Sequence, residues 1–261
     1  MILAKKSLGQ NFLKDKNIIK KIINLSDIKN KNIIEIGPGS GALTNEILEK
    51  KPKSLNLIEK DTFLAEELKL KYDDKKSIKV YNEDILRFNL DKIIKEETII
   101  FGNLPYNISS QILVKILRAI KWPTKISNII LMFQKELGHK IISKFPSRDY
   151  GRLSILTNYR LKCINKFYVS PNCFFPKPKI TSIVINLKPK LKTDFKIKKV
   201  TNLEKVTNIL FSNKRKMIKK NLKKILSEND INKINNLKLN LRPSNIEPSI
   251  YYKITELYEK V

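Results

Sequence analysis

Two short segments of the 261-residue chain carry residue types suited to chemistry, some 60 residues apart. The second, Phe101-Gly-Asn103-Leu104-Pro105-Tyr106, holds an asparagine followed by a proline and an aromatic. Pro105 fixes its φ at about −65° and stiffens the loop, and Gly102 lets the chain turn sharply. That combination suits the holding of a planar base that carries an exocyclic amine. Such an amine is a poor nucleophile because its lone pair is delocalised into the ring. Accepting its two N–H bonds, through the Asn103 side-chain carbonyl and the Leu104 backbone carbonyl, pulls the nitrogen toward tetrahedral geometry. The lone pair then points at an electrophilic carbon for in-line displacement, which is positioning and electrostatics. Tyr106 is placed to stack on the base, worth roughly 1–3 kcal/mol. The four residues Asn103 to Tyr106 do not choose among adenine, cytosine and glutamine amino groups.

The first segment is Glu35-Ile-Gly37-Pro-Gly39-Ser-Gly41-Ala-Leu-Thr44, which holds three of the seven glycines. Closely spaced glycines between a strand and a helix bring backbone N–H groups beside a ligand with no Cβ in the way. Gly37-x-Gly39-x-x-Ala42 also fits a relaxed dinucleotide fingerprint, with Glu59 about 20 residues on, where a carboxylate accepts from ribose hydroxyls. Glu35 places an acid where a dinucleotide site seats pyrophosphate, which like-charge repulsion disfavours. Whether Glu35 touches a cofactor or orders the turn stays open. Asp84 closes the third strand and is placed to accept from an adenine amino group. An acid after each of three successive strands is the layout of S-adenosylmethionine-dependent methyltransferases.

The elements that must position these groups are readable as an alternation. Asn32–Ile36, Leu55–Glu59, Ser77–Tyr81, Thr98–Phe101 and Asn128–Phe133 are short, apolar and β-branched, with helix-like stretches near 42–50, 61–71 and 109–120. The pattern predicts an α/β fold, a mostly parallel Rossmann-like sheet covered on both faces. Late strands near 161–169 and 180–187 flank the Pro171–Pro178 segment and predict an antiparallel hairpin at the sheet edge. The expected organisation is a cofactor-binding domain at 1–187, a basic linker at 188–199 and a small all-α domain at 200–261.

Composition narrows the class. The 53 Lys+Arg against 25 Asp+Glu give +28, a balance that favours a polyanionic partner. An AT-rich genome inflates Lys, Asn and Ile in the same direction. Residues 188–261 hold 19 basic and 7 acidic residues, about twice the charge density of the rest. Lys214-Arg-Lys216, Lys219-Lys220 and Lys223-Lys224 put seven positive charges within eleven residues. Helical spacing there leaves Met217, Ile218, Leu222, Ile225 and Leu226 for a buried side. The basic side reads as a phosphate-tracking surface or as a solvated face. The longest apolar run beside a strand, Ile129–Phe133, is too short for a membrane span, and Met1–Lys6 lacks the form of a secretory signal. Cys163 and Cys173 fit no zinc spacing and are expected as buried thiols, and the single histidine, His139, excludes a multi-histidine centre. A cytoplasmic monomer without metal is expected.

Taken together, the sequence resembles the ribosomal RNA adenine dimethyltransferase family, and within it the small-subunit branch associated with kasugamycin susceptibility. The matching segments begin with Lys6–Leu13, Glu35–Thr44, Ile58-Glu59, Glu83-Asp84, Gly102–Ser109 and Met132–Glu136. They continue through Tyr150–Ser154, Phe174–Ser182, Phe211–Lys216 and Arg242-Pro243. The resemblance implies that Asn11 and Leu13 close over S-adenosyl-L-methionine, and that Gly37, Gly39, Glu59, Asp84 and Asn103 contact it. It implies that Phe174 stacks opposite Tyr106 to sandwich a flipped adenine. It further implies dimethylation of two adjacent adenines in the 3′-terminal hairpin of small-subunit rRNA, with the immature small subunit as partner. The base must leave the stack to meet the methyl group. Asn213-Lys-Arg departs from a second arginine pair common in the family.

Three other functions compete. A resistance-type dimethylase of large-subunit rRNA shares the fold and most motifs, and Leu104, Asn107 and the Phe174–Pro178 segment favour the small-subunit enzyme. A ribosome-assembly or transcription factor without turnover is disfavoured by the intact Glu59, Asp84, Asn103 and Tyr106. An NAD dehydrogenase is disfavoured by the Asn103–Tyr106 motif.

Overall fold

The computed structural model describes residues 10–119, 124–190 and 192–260. Met1–Lys6, the Lys6–Gly9 half of the first matching segment and the expected end of the helix near residue 120 lie outside the described residues.

The chain forms two compact units, Met1–Gly138 with Cys163–Pro189, and His139–Lys162 with Lys190–Val261. The first begins with β1 (Phe12–Leu13) and α1 (Lys16–Ile23), whose first turn is capped by the Asp15 carboxylate on the Asn17 and Ile18 N–H groups. Next come β2 (Asn32–Ile36), α2 (Ala42–Glu49), β3 (Ser54–Glu59), α3 (Thr62–Lys71), β4 (Ile78–Asn82), β5 (Thr98–Asn103), α4 (Ser109–Ala119) and β6 (Ile126–Gln134). Every residue of β2 is buried, as are five of the six in β5. Parallel strands covered on both faces need such unbroken Ile-rich runs.

The seven-stranded sheet includes α/β strands in the order β4-β3-β2-β5-β6, continued by β9 (Ser182–Pro189) and, at the edge, β7 (Leu161–Val169). Strands β4 through β6 pair in parallel, and β9 runs antiparallel to β6. The α/β class and the antiparallel strand late in the sheet match the expectation. From β2 the chain moves outward through β3 and β4, then returns to β5 on the other side. Such a reversal leaves a crevice at the carboxyl ends of β2 and β5, where α/β proteins bind ligands. Both chemical segments leave the sheet there. A separate two-stranded ribbon joins β1 to β8 (Phe174–Phe175), with Phe12 opposite Phe175 and Leu13 opposite Phe174. Neither two-residue strand carries an alternation long enough to be read from sequence.

Helix α5 (Lys135–Ile142) follows β6 directly. The second unit takes in α6 (Arg152–Arg160), α7 (Val200–Phe211), α8 (Lys219–Leu222), α9 (Glu228–Asn232) and α10 (Pro248–Tyr258). Residues 139–162 thus group with the helical tail. Buried tyrosines tie this unit together: the Tyr150 hydroxyl donates to the Ile246 carbonyl (2.9 Å), Tyr251 to Pro243 (2.6 Å) and Tyr252 to Ile155 (3.0 Å). Each satisfies a polar atom inside an apolar core.

Two expectations fail here. The basic stretch 214–224 is not one helix: turns occupy residues 212–215, α8 spans only four residues, and Met217 is exposed. The Ile218 N–H donates to the Leu241 carbonyl (2.9 Å), so Ile218, Leu222 and Leu226 alone turn fully inward. Cys163 is exposed on the outer strand β7, whereas Cys173 is buried. His139 lies on α5, 3.9 Å from the Asp149 carboxylate.

Gly138 of α5 packs against β9, and a methyl group built on it would collide with Ile183 Cγ2. Gly138→Ala, which in a free helix gains about 1 kcal/mol, is therefore expected to lower stability by roughly 1–2 kcal/mol through overpacking. Thermal unfolding checks this, and a Tm equal to or above that of the wild type would contradict it.

Candidate active site

The crevice at the ends of β2 and β5 is an open cleft, and nearly every residue singled out from sequence stands in its wall. Asn11, Leu13, Gly37, Gly39, Glu59, Asp84, Asn103, Leu104, Pro105 and Tyr106 all line it. Its wall also carries Glu35, Glu83 and one lysine, Lys60. In a chain of charge +28 this is a local concentration of carboxyl groups, suited to a ligand carrying positive charge.

The glycine turn is built by backbone conformation. Gly37, Gly39 and Gly41 have φ of 66°, 58° and 81°, the left-handed region that side chains disfavour. A Cβ on Gly37 would lie 3.9 Å from the Asn103 main-chain oxygen, which places the two chemical segments side by side. One on Gly39 would strike the Phe12 ring at 2.9 Å, so Phe12 lies against the turn. Glu59 holds the turn to the end of β3: one carboxylate oxygen accepts from the Gly39 N–H (3.0 Å), the other from the Asp61 N–H (2.8 Å). Each oxygen keeps lone-pair capacity for a further donor. Burial pushes the Glu59 carboxyl above the usual range, and its two backbone hydrogen bonds oppose that. Asp84 forms an ion pair with Lys60 (2.9 Å) and accepts from the Leu86 N–H (2.9 Å), which hold its carboxyl below the usual range.

Glu35 is 1% exposed and accepts from the Thr44 hydroxyl (2.7 Å). Burial, opposed by that hydrogen bond and aided by the charge of Glu59, raises its pKa to about 8. At neutral pH it is therefore largely a neutral acid. The repulsion of pyrophosphate expected of an ionised Glu35 does not operate, and the choice of ligand must rest on other groups.

At the end of β5 the Asn103 side chain has one fixed orientation. Its Nδ2 donates to the Asn11 main-chain carbonyl (2.9 Å), a bond that only the amide nitrogen can make. Its carbonyl Oδ1 is thereby the free-facing acceptor end of the group. Leu104 is 2% exposed, so its side chain anchors the loop in the core. The Tyr106 hydroxyl shares a hydrogen bond with Ser182 (2.5 Å) at the start of β9, and burial raises its pKa. Ser109, the first residue of α4, donates from its hydroxyl to the Tyr106 carbonyl (3.1 Å).

Phe174 is the exception. It is 1% exposed and packs in the core with Leu13, Ile19 and Cys173. Alternation along β8 turns Phe174 inward and Phe175, 58% exposed, outward. Sequence reasoning also missed supporting residues. Ser182 and Thr44 sat inside quoted segments, but a partner hydroxyl has no local signature. The same holds for Gln10, inside Lys6–Leu13, whose side-chain amide donates to Asp61 (3.3 Å).

Comparison with known proteins agrees with this geometry. A family model described as ribosomal RNA adenine dimethylase matches residues 1–260. A protein of Pelagibacter ubique named ribosomal RNA small subunit methyltransferase A is 45% identical over 259 residues, covering 99% of this chain and 98% of its own. A protein of the same name from Francisella tularensis subsp. novicida is 39% identical over 87% of each chain. Among solved structures, a dimethyladenosine transferase from Plasmodium falciparum superposes with a TM-score of 0.73 at 25% identity, over 95% of this chain and 98% of that one. The 23S rRNA methyltransferase ErmE superposes with a TM-score of 0.69 at 22% identity, over 95% and 99%, a likeness of fold.

The buried acid makes a testable contribution to stability. Between the ordinary carboxylate value of 4.5 and about 8 the folded state holds a proton on Glu35 that the unfolded state lacks. Stability must then fall as pH rises through that window. Glu35→Gln keeps an acceptor for Thr44 and removes the ionisation. The variant is expected to lose less Tm than the wild type between pH 5 and pH 8.5, by roughly 5 °C. Parallel Tm profiles for the two proteins would contradict the assignment.

Proposed function

The chain belongs to the ribosomal RNA adenine dimethylase family, and we propose that it dimethylates the 6-amino groups of two adjacent adenines in the 3′-terminal hairpin of small-subunit (16S) rRNA, with S-adenosylmethionine as methyl donor. The observation that carries this reading is the Asn103 amide, which stands in the cleft wall with its nitrogen tied to Asn11 and its oxygen left as the acceptor end.

The cleft fits the donor: positive-φ glycines bring backbone close to a ligand, and carboxyl groups outnumber the lone lysine in the wall. When bound, S-adenosylmethionine supplies an electrophilic methyl group on a sulfonium. Glu59, with one lone-pair site in use on each oxygen, accepts from the ribose hydroxyls, and Asp84 accepts from the adenine amine of the donor. Asn11, Leu13, Gly37 and Gly39 form the wall around it. Asn103 Oδ1 and the Leu104 carbonyl accept the two N–H bonds of the target amine and turn its lone pair toward the methyl carbon. Tyr106 stacks on the target ring, held in place by Ser182. The proton of the methylated amine leaves to water. Two uncharged acceptors suffice, because the work is orientation of a weak nucleophile.

Extruding the target base from its hairpin requires a grip on the flanking phosphates. The basic 188–261 region supplies it, and binding is expected to weaken steeply with salt. The small subunit is favoured over the large by the 45% identity to a small-subunit methyltransferase across nearly the full chain. The fold likeness to ErmE does not bear on that choice. A role in small-subunit biogenesis and a cytoplasmic location follow from such a substrate.

Asn103→Ala is expected to lower methyl transfer about 100-fold or more while RNA affinity changes no more than a few fold. Labelled S-adenosylmethionine incubated separately with undermethylated small and large subunits checks both parts. Wild-type turnover in the variant would refute the role of Asn103. Label entering only the large subunit would refute the substrate.

A further inference from the structure

Phe175 is a large apolar side chain left 58% exposed on β8, opposite Phe12 of the cleft wall. Its position follows from the β1–β8 ribbon. Residues directly opposite one another in an antiparallel pair project from the same face. Leu13 and Phe174 oppose each other and both enter the core; Phe12 and Phe175 oppose each other and share the other face. That face meets the glycine turn, because the Phe12 ring lies against Gly39, and Phe12 is among the residues that line the cleft. Phe175 thus continues the aromatic surface from Phe12 outward to solvent.

The surroundings select the occupant. Residues 163–189 contain four lysines and no Asp or Glu. Lys14, Lys177 and Lys179, flanking the ribbon on both of its strands, are all exposed. An exposed aromatic ring flanked by lysines matches a ligand that alternates π-faces with negative charge, which is single-stranded nucleic acid.

We infer that Phe175 is a stacking platform at the cleft mouth for a nucleobase of the RNA that flanks the base held by Asn103 and Tyr106. The inference rests on the rRNA reading above and assigns it a second base-binding position. Phe175 engages a neighbouring nucleotide, and so holds the strand open once the target has left the stack.

Single-turnover methyl transfer, measured against the concentration of undermethylated small subunits, tests it. Phe175→Ala is expected to raise the half-saturating concentration about 5- to 100-fold, with the saturated rate within threefold, and with Tm and S-adenosylhomocysteine binding unchanged. Phe175→Trp is expected to restore affinity, and Phe175→Leu, which keeps apolar bulk without a π-face, to leave it weak. Half-saturation of Phe175→Ala within twofold of wild type, or full rescue by leucine, overturns the platform. Wild-type transfer to neither subunit overturns both the platform and the function it rests on. Transfer to the large subunit alone refutes the substrate, and the same variants then decide the platform on that particle.

Discussion

A primary amide offers a donor at one end and an acceptor at the other, and a site that must accept from an amine can use only the second. In this protein the Asn11 carbonyl removes the ambiguity by taking the Asn103 nitrogen (2.9 Å), so the carbonyl end is the one presented. The bond joins residues 92 apart in sequence, from the segment before the first sheet strand to the end of β5. Its energy is modest, about 1 kcal/mol for a typical hydrogen bond. For the proposed reaction its consequence is large, because orienting a weak nucleophile can remove several kcal/mol of the barrier. The sheet reversal between β2 and β5 brings that amide to the crevice, beside the glycine turn.

Around it the acids divide their work by environment. Asp84, partly open and beside Lys60, stays ionised. Glu59 spends one lone pair from each oxygen on the backbone that shapes the glycine turn. Glu35 is buried deeply enough to remain protonated to about pH 8, and serves Thr44 as a neutral partner. Three carboxyl groups at the ends of successive strands thus have three electrostatic states, and only their solvent exposure and partners separate them.

That separation explains what the sequence could and could not disclose. The β-strands were readable because parallel strands buried on both faces must be Ile- and Leu-rich, as in Asn32–Ile36 and Thr98–Asn103. The glycine turn and the Asn103–Tyr106 loop were readable because backbone conformation and chemistry restrict which residues fit. Protonation of Glu35 was not, since its burial depends on tertiary packing, in which Thr44 of α2 meets its carboxyl group. Phe174 and Phe175 are adjacent and chemically identical, and only the ribbon register decides which is buried and which is exposed. The basic 214–224 stretch misled for a related reason: helical spacing of lysines is satisfied equally by a broken chain of turns when Ile218, Leu222 and Leu226 find the core.

The orientation of the Asn103 amide in a loaded cleft is the most direct test, through a crystal structure of the protein with S-adenosylhomocysteine and adenosine. The expected result is an adenine whose 6-amino nitrogen lies about 3 Å from both Asn103 Oδ1 and the Leu104 carbonyl, with Nδ2 still donating to Asn11. An amide rotated to offer its nitrogen to the base, or an adenine seated away from Tyr106, would contradict it.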